Sequence, residues 1–316
     1  MVRTFATPGI VRLAVRNACG EIGIASHDAA TTEVQVRALT RISEEQAAAA
    51  RVECTEEAGE YRVIVDVPSP ARRLWQGDQE IAVLVKVPEG TWLDIESSTA
   101  DVSAEGRFAG GKVLTASGDV RVEHAAGDLS LATASGDVAV FRADAALKAR
   151  SAKGDISVIR AAGLLTLESE SGDLDLGSTE LGGRLRTASG DIEVERAAGT
   201  LEGSSASGDL TVREVYGACR LESRSGDVDI ESVREGKVFI ETMSGDVTVG
   251  VSPGSSVSVD AHTHTGDLES DIPLSPELET NRATAEGPLV ALEIRTMTGD
   301  VRITRGRHLS TNRSGL

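Results

Sequence analysis

The tripeptide Ser-Gly-Asp returns through this chain at a fixed interval, and that recurrence limits the possible folds more than any other feature. Asp119, Asp137, Asp155, Asp173, Asp191, Asp209 and Asp227 follow one another every eighteen residues. Asp101 precedes them at the same spacing, and Asp246, Asp267 and Asp300 follow at wider ones, which makes eleven copies. Glycine stands before the aspartate in ten of the eleven, Ala100 being the exception. A unit this short cannot bury its own apolar face and must stack on its neighbours.

The columns around the aspartate define the unit. The next residue is always aliphatic: Val102, Val120, Val138, Ile156, Leu174, Ile192, Leu210, Val228, Val247, Leu268 and Val301. Two residues further on most copies are aliphatic again, as at Val122, Val140, Val158, Leu176, Val194 and Ile230, with Arg121, Asp175 or Glu193 between. This is the period-2 pattern of a strand with one buried face. Upstream the alternation continues through Leu131, Leu167, Leu185, Leu221 and Ile294. Four positions before the aspartate every copy carries a hydroxyl, from Ser97 and Thr115 to Thr263 and Thr296, and Ser or Thr dominates again two positions before it, with Lys153 the exception. Parity places both hydroxyl columns inside, near a corner.

Gly127, Gly163, Gly199 and Gly217 mark a second turn midway between Ser-Gly-Asp turns, so each unit reads as two short strands and two turns. The expected fold is all-β: a single-chain β-solenoid (β-helix) of 18-residue coils stacked at about 4.8 Å, a rod about 50 Å long. Leu13, Val15, Asn17, Cys19, Gly20, Glu21, Ile22 and Ile24 fit the template as a first coil. Ala25–Gly90 interrupts it, with strands expected at 32–39, 61–67 and 81–87 and a helix at about 43–55 behind a Ser43/Gln46 capping box. Exposed solenoid ends pair with other chains, so this small α/β insertion is expected to cap the amino-terminal end. The organisation that follows is 1–90 for first coil and cap, 91–305 for solenoid repeats with a loop at 271–288, and 306–316 for a flexible tail.

Composition narrows the function. Fifty acidic against thirty-two basic residues leave a net charge of −18, which argues against nucleic acid or an anionic membrane surface as the main partner. Two tryptophans, two tyrosines and four phenylalanines provide few platforms for stacking bases or sugars. No apolar run reaches the ~18 residues of a spanning helix. Met1–Gly9 shows no signal-peptide pattern, and Cys19, Cys54 and Cys219 have neither disulfide-framework nor zinc-site spacing, so a cytoplasmic protein with reduced thiols is expected.

The alternation, the Ser-Gly-Asp-Val coils and the Val-Pro-Glu-Gly lead-in at Val87–Gly90 together resemble the bacterial putative-adhesin family of β-strand-repeat proteins, a domain family of unknown function. The resemblance covers about Phe5 to Arg305. It implies a surface-exposed binding protein and supplies no catalytic residue; the absence of a secretion signal is a departure from it.

Two candidate sites follow from the columns. The aspartate column reads as turn chemistry, with Gly at positive φ and the carboxylate accepting turn amides. Stacked carboxylates also suggest a cation ladder, although the calcium-binding roll motif fails because no Asp follows the half-turns at Gly163 or Gly199. His262 and His264 alternate on one outward strand face, and column matching sets Met243 and Met297 on either side of His264, a ligand set for a soft metal. The competing reading lays the methionines under the 271–288 loop. There is no nucleophile elbow, His27, His124 and His308 are scattered, and the even coils leave no room for the long loops of a polysaccharide-acting β-helix enzyme. Thr-x-Ser pairs such as Thr115 with Ser117 would form an ice-binding array only if they faced outward. The expected function is therefore non-catalytic, without a cofactor: a rigid acidic rod that binds a protein partner or forms a homo-oligomer, with no nucleic acid and no membrane insertion.

Overall fold

The computed structural model describes residues 1–68, 80–272 and 287–305. It divides into two compact units, Met1–Gly172 and Asp173–Leu316. Both are all-β windings, and the described residues contain only one 3-10 turn and one short α-helix.

Each unit is built from two ladders of parallel strands. In the first unit one ladder runs through strands Glu60–Asp66, Ile10–Asn17, Trp92–Ser97, Gly110–Leu114, Leu129–Ala132, Leu147–Arg150 and Leu165–Glu168. The other runs through Ile81–Pro88, Gly20–His27, Asp101–Phe108, Val120–Ala125, Val138–Ala143 and Ile156–Ala161. Like residues face like: Val120 lies opposite Val138 and Val138 opposite Ile156, while in the second unit Leu174 lies opposite Ile192 and Ile192 opposite Leu210. Only register of this kind keeps every second residue of every strand on the same face, since a slip by one would turn the aliphatic column outward. The columns that alternate in sequence accordingly form the core, including Leu131, Val140 and Leu167 in the first unit and Leu176, Val194, Val212, Ile230 and Val249 in the second. In the second unit the midway turns at Gly199, Gly217 and Gly236 are bends inside continuous strands Ile192–Ser205, Leu210–Ser225 and Val228–Ser244.

Coil order differs from sequence order in both units. The strands of the first coil, Ile10–Asn17 and Gly20–His27, are flanked on one side by Trp92–Ser97 and Asp101–Phe108 and on the other by Glu60–Asp66 and Ile81–Pro88. In the second unit Leu289–Thr298 pairs with Val228–Ser244 on one side and Ser256–Thr265 on the other, and Val301–Arg305 lies between Val247–Val251 and Leu268–Ser270. The last segment in sequence is thus inserted between the two that precede it. Antiparallel strands flank the first unit's ladders: Arg51–Glu57 on Glu60–Asp66, Thr31–Ala38 on Ile81–Pro88, and Val2–Ala6 on Thr31–Ala38.

The helix expected over 43–55 is shorter. A 3-10 turn at Arg41–Ser43 leads into an α-helix at Glu44–Ala49, and Arg51–Glu57 is a strand. Val52 pairs with Val65 and Cys54 with Val63, and this cross-strand pairing ends the helix after its alanines. Ser43 does not cap the helix. Its hydroxyl is buried and donates to the Glu80 carbonyl at 2.9 Å. Most of the 271–288 loop and all of the 306–316 tail lie outside the described residues, as does Trp75.

The corners require two further corrections. Ser117, Ser135, Ser171, Ser189, Ser207 and Ser225, with Lys153, are exposed, and the glycine after each of the first two is buried instead. Alternation pauses there because two successive amides, Ala134 and Ser135, both donate to the Ala116 carbonyl at 3.1 Å, which turns the chain and brings glycine inward. The glycines are needed for contact rather than for positive φ. Only Gly245, Gly266 and Gly299 of the column have positive φ, whereas a Cβ on Gly136 would lie 2.1 Å from the Gly118 carbonyl oxygen and one on Gly154 would lie 2.0 Å from that of Gly136. The hydroxyl four positions before the aspartate is inward, as expected: Ser151 Oγ accepts the Gly154 amide at 2.8 Å and donates to the Gly136 carbonyl at 3.2 Å. Where glycine takes positive φ, its amide goes elsewhere. Gly245 donates to the Thr298 carbonyl and Gly299 to that of Thr265, both at 3.0 Å, and the Thr242 and Thr296 hydroxyls are left buried without partners.

Gly154→Ala is expected to lower stability by at least about 1–3 kcal/mol, because the added methyl meets backbone that cannot yield without parting the coils. Ser135→Ala, on the exposed side of an equivalent corner, is expected to change stability by less than about 0.5 kcal/mol. Thermal and denaturant unfolding of the two variants measures the contrast, and a Gly154→Ala protein as stable as the parent would refute the close approach.

Candidate functional site

The aspartate column is a chain of charge-assisted hydrogen bonds. In at least nine of the eleven copies one carboxylate oxygen accepts the backbone amide of the aspartate in the adjoining coil: in the first unit Asp119 N to Asp101 at 3.0 Å, Asp137 N to Asp119 and Asp155 N to Asp137 at 2.9 Å. In the second unit Asp191 N reaches Asp173, Asp209 N reaches Asp191, Asp227 N reaches Asp209 and Asp246 N reaches Asp227, each at 2.8 Å. The inserted coil then appears directly, with Asp300 N on Asp246 at 2.9 Å and Asp267 N on Asp300 at 2.8 Å. All of these aspartates are exposed. The amides offset part of the repulsion between the charges. Among the described residues no group of three or more His, Cys, Asp or Glu is placed to hold a metal ion.

The outward hydroxyl array is one column wide. Ser117 and Ser135 face solvent, but Thr115 and Thr133 are buried and accept the Gly118 and Gly136 amides at 3.0 Å. A flat Thr-x-Ser surface therefore does not form.

The methionines and histidines are rearranged by the insertion of the last coil. Thr242 opposite Thr296 and Ser244 opposite Thr298 set Met243 beside Met297. Thr263 opposite Thr296 and Thr265 opposite Thr298 set Met297 beside His264. The order is Met243, Met297, His264, not one methionine on each side of the histidine as expected, because sequence order misplaces the last coil. Met243 and Met297 are 51% and 54% exposed, and His264 is exposed. His262 lies beside Arg295, with its Nε2 2.9 Å from Asp260 Oδ1.

Two features were not legible in the columns. The first is an open groove of about 710 Å³ in the first unit, floored by Leu13 and Ala14 and bordered by Arg12, Arg62, Trp92 and Asp94. The Arg12 guanidinium lies 5.9 Å from the Trp92 ring centre and pairs with Glu60. Trp92 was the available signal, but the concavity depends on the non-sequential order that sets the Ile10–Asn17 strand between the strands carrying Arg62 and Trp92. The second is a half-turn cluster in the second unit. Glu214, with a side chain only 14% exposed, accepts from Arg196 Nε and Tyr216 OH at 3.0 Å, with Arg234 3.6 Å away. Burial acts to raise its pKa, but the bonds from Tyr216 and Arg196 and the charges of Arg196 and Arg234 outweigh it and hold the carboxyl below its ordinary value of 4.5.

Two predictions follow from these networks. Asp137→Ala removes the acceptor of the Asp155 amide and is expected to cost about 1 kcal/mol. Asp137→Asn keeps an acceptor and removes repulsions of about 1 kcal/mol each between charges about 4.8 Å apart in water, so it is expected to be near neutral; equal loss in both variants would show that the hydrogen bond is not what matters. Glu214, with its depressed pKa, contributes stability above pH 4.5 that is lost as pH falls through the folded-state value. The stability gap between the parent and Glu214→Gln is therefore expected to narrow on acidification, and a gap constant from neutral pH to below pH 4 would disprove the assignment.

The sequence profile of the Toastrack DUF4097 family matches residues 12–214 and 186–304. No curated protein matches the chain. Similar solved structures include a putative cell adhesion protein from Clostridium sporogenes, 9% identical, TM-score 0.26, covering 96% of this chain and 98% of its own. A putative adhesin from Bacteroides fragilis is 10% identical, TM-score 0.29, covering 96% of each chain. Another from Parabacteroides merdae is 12% identical, TM-score 0.30, covering 96% of this chain and 95% of its own. With repeat, ladders and profile in agreement over most of its length, the chain belongs to the Toastrack DUF4097 family.

Proposed function

We propose that this chain is a non-catalytic interaction module: windings of eighteen-residue coils, the first of them capped by the described strands between Ala25 and Gly90, that offer their side walls to a protein partner or to a second copy of the chain. The observation that carries this reading is how the outward charges are used. They pair with one another along the walls, as in Arg150–Glu168 at 2.6 Å, Arg184–Glu202 at 2.7 Å and Arg302–Glu269 at 2.7 Å. Exposed pairs of this kind add little stability. They keep the wall solvated and leave a flat, patterned surface suited to recognition by another protein.

Adhesion is said of the similar structures and is not extended to this chain. The proposed location is cytoplasmic, which rests on the three free thiols, with that of Cys219 pushed up to about 12 by burial. No helix among the described residues is long and apolar enough to cross a membrane. A net charge of −18 disfavours nucleic acid as the partner. Calcium binding is the weaker alternative because at least nine of the eleven carboxylates of the ladder already accept an amide. A polysaccharide-acting enzyme would have to work in the groove beside Trp92, where Arg12 is already paired with Glu60.

Size-exclusion chromatography with light scattering, across protein concentration and salt, tests the proposal. Copies that each carry −18 repel, so self-association is expected to strengthen as salt screens them. A mass independent of concentration and salt would assign the walls to a heterologous partner. Turnover of acidic polysaccharides by the full chain, lost on Trp92→Ala, would overturn the non-catalytic reading.

A further inference from the structure

We propose that Met243, Met297 and His264 form a binding site for a soft monovalent cation of the copper(I) class, on the outer wall of the second unit. The chain has three methionines, and apart from Met1 the only two are these. They stand on adjoining strands of one parallel ladder, with His264 on the next strand of the same row. In sequence order the coil of His264 would separate the two methionines, and the insertion of Leu289–Thr298 between Val228–Ser244 and Ser256–Thr265 instead sets them side by side, with His264 at one end of the row.

Their chemistry suits one class of ligand. Adjoining strands lie about 4.8 Å apart, so three side chains of a row can converge on one ion when the outer two lean inward. Methionine has three rotatable bonds and adapts to such a position. Two neutral thioethers and an imidazole favour copper(I) or silver(I) over calcium, magnesium or zinc, which take harder or charged donors. Arg224, opposite Met243 at one end of the row, supplies no ligand and sets a like charge beside the ion, and His262, two residues from His264, is bonded to Asp260 at 2.9 Å. Both methionines are more than half exposed, so an ion reaches them without a conformational change. Thioethers on a wall whose other outward groups are largely charged and paired add nothing to the core.

The test uses the full chain labelled with carbon-13 at the methionine methyls, titrated with silver(I) as a redox-silent probe and then with copper(I) without oxygen. Cys19→Ser and Cys54→Ser remove the half-buried thiols that would compete for the ion. The Met243 and Met297 methyl resonances are expected to move together and saturate at one equivalent, with Met1 unmoved. His264→Ala is expected to weaken binding by at least about tenfold, since even loss of an outer-shell partner has effects of that size. Met243→Leu and Met297→Leu, exposed and near in volume, keep the fold and should each abolish the joint response. Methyls that stay unmoved, respond independently of each other, or respond equally in the His264→Ala protein would overturn the site.

Discussion

Everything in this structure depends on how closely one coil's corner lies on the next. The ladders on both faces require a strand spacing of about 4.8 Å, and the backbone of the corner must keep that spacing where no strand enforces it. Glycine makes this possible, since a Cβ at Gly136 or Gly154 would stand 2.1 or 2.0 Å from a carbonyl oxygen of the preceding coil. The approach then satisfies the polar groups it brings together. Ser151 bridges the Gly154 amide and the Gly136 carbonyl, and the Asp137 carboxylate accepts the Asp155 amide. Each corner thus meets much of its own hydrogen-bond demand through the neighbouring coil, and a side chain at the glycine would disturb the hydroxyl bridge and the carboxylate link together.

The order of the coils bears on a second constraint, the treatment of sheet edges. A terminal strand paired on one side frays and presents an open edge. In the second unit the final segment is paired on both sides, and Val290, Ile294, Val301 and Ile303 on it are fully buried. The edge among the described residues falls instead on the earlier segment 256–270, where Leu268, a member of the otherwise buried aliphatic column, is 39% exposed. In the first unit Ile10–Asn17 is likewise paired on both sides, whereas Val2–Ala6 is an edge strand on Thr31–Ala38. In the second unit local opening is therefore expected to start in segment 256–270 rather than in 289–305, since residues held between two ladders must break both to open.

Much of this was legible in the sequence because a repeat turns local alternation into tertiary register. Val138, Ile156 and their equivalents had to line up once the period was eighteen, and the hydroxyls at Thr115, Thr133 and Ser151 fell inside by parity. What was not legible depended on information the repeat does not carry. Ser117 and Ser135 turn outward because two amides share one carbonyl, which a strict period of two cannot represent. Arg51–Glu57 is a strand only because Glu60–Asp66 folds back on it. The row Met243, Met297, His264 and the groove beside Trp92 both depend on coils placed out of sequence order, so column matching named the residues of the row and misplaced their neighbours.

These constraints also indicate where function is written. The corner consumes Asp, Gly and the hydroxyl, the interior consumes the aliphatic columns, and only the outward rows remain free to differ between coils. Many of them hold charges, some paired across adjoining coils, and such pairs add little stability. The informative positions are departures from that pattern: Phe141, set opposite Ile159 and half exposed with it, the Trp92 groove, and the thioether row. A charged wall interrupted by a few apolar or soft side chains discriminates among partners at the interruptions, because desolvated apolar contacts carry most of the affinity in an interface while rim charges chiefly steer. A partner that reads this protein would therefore read where the repeat is broken rather than the repeat itself.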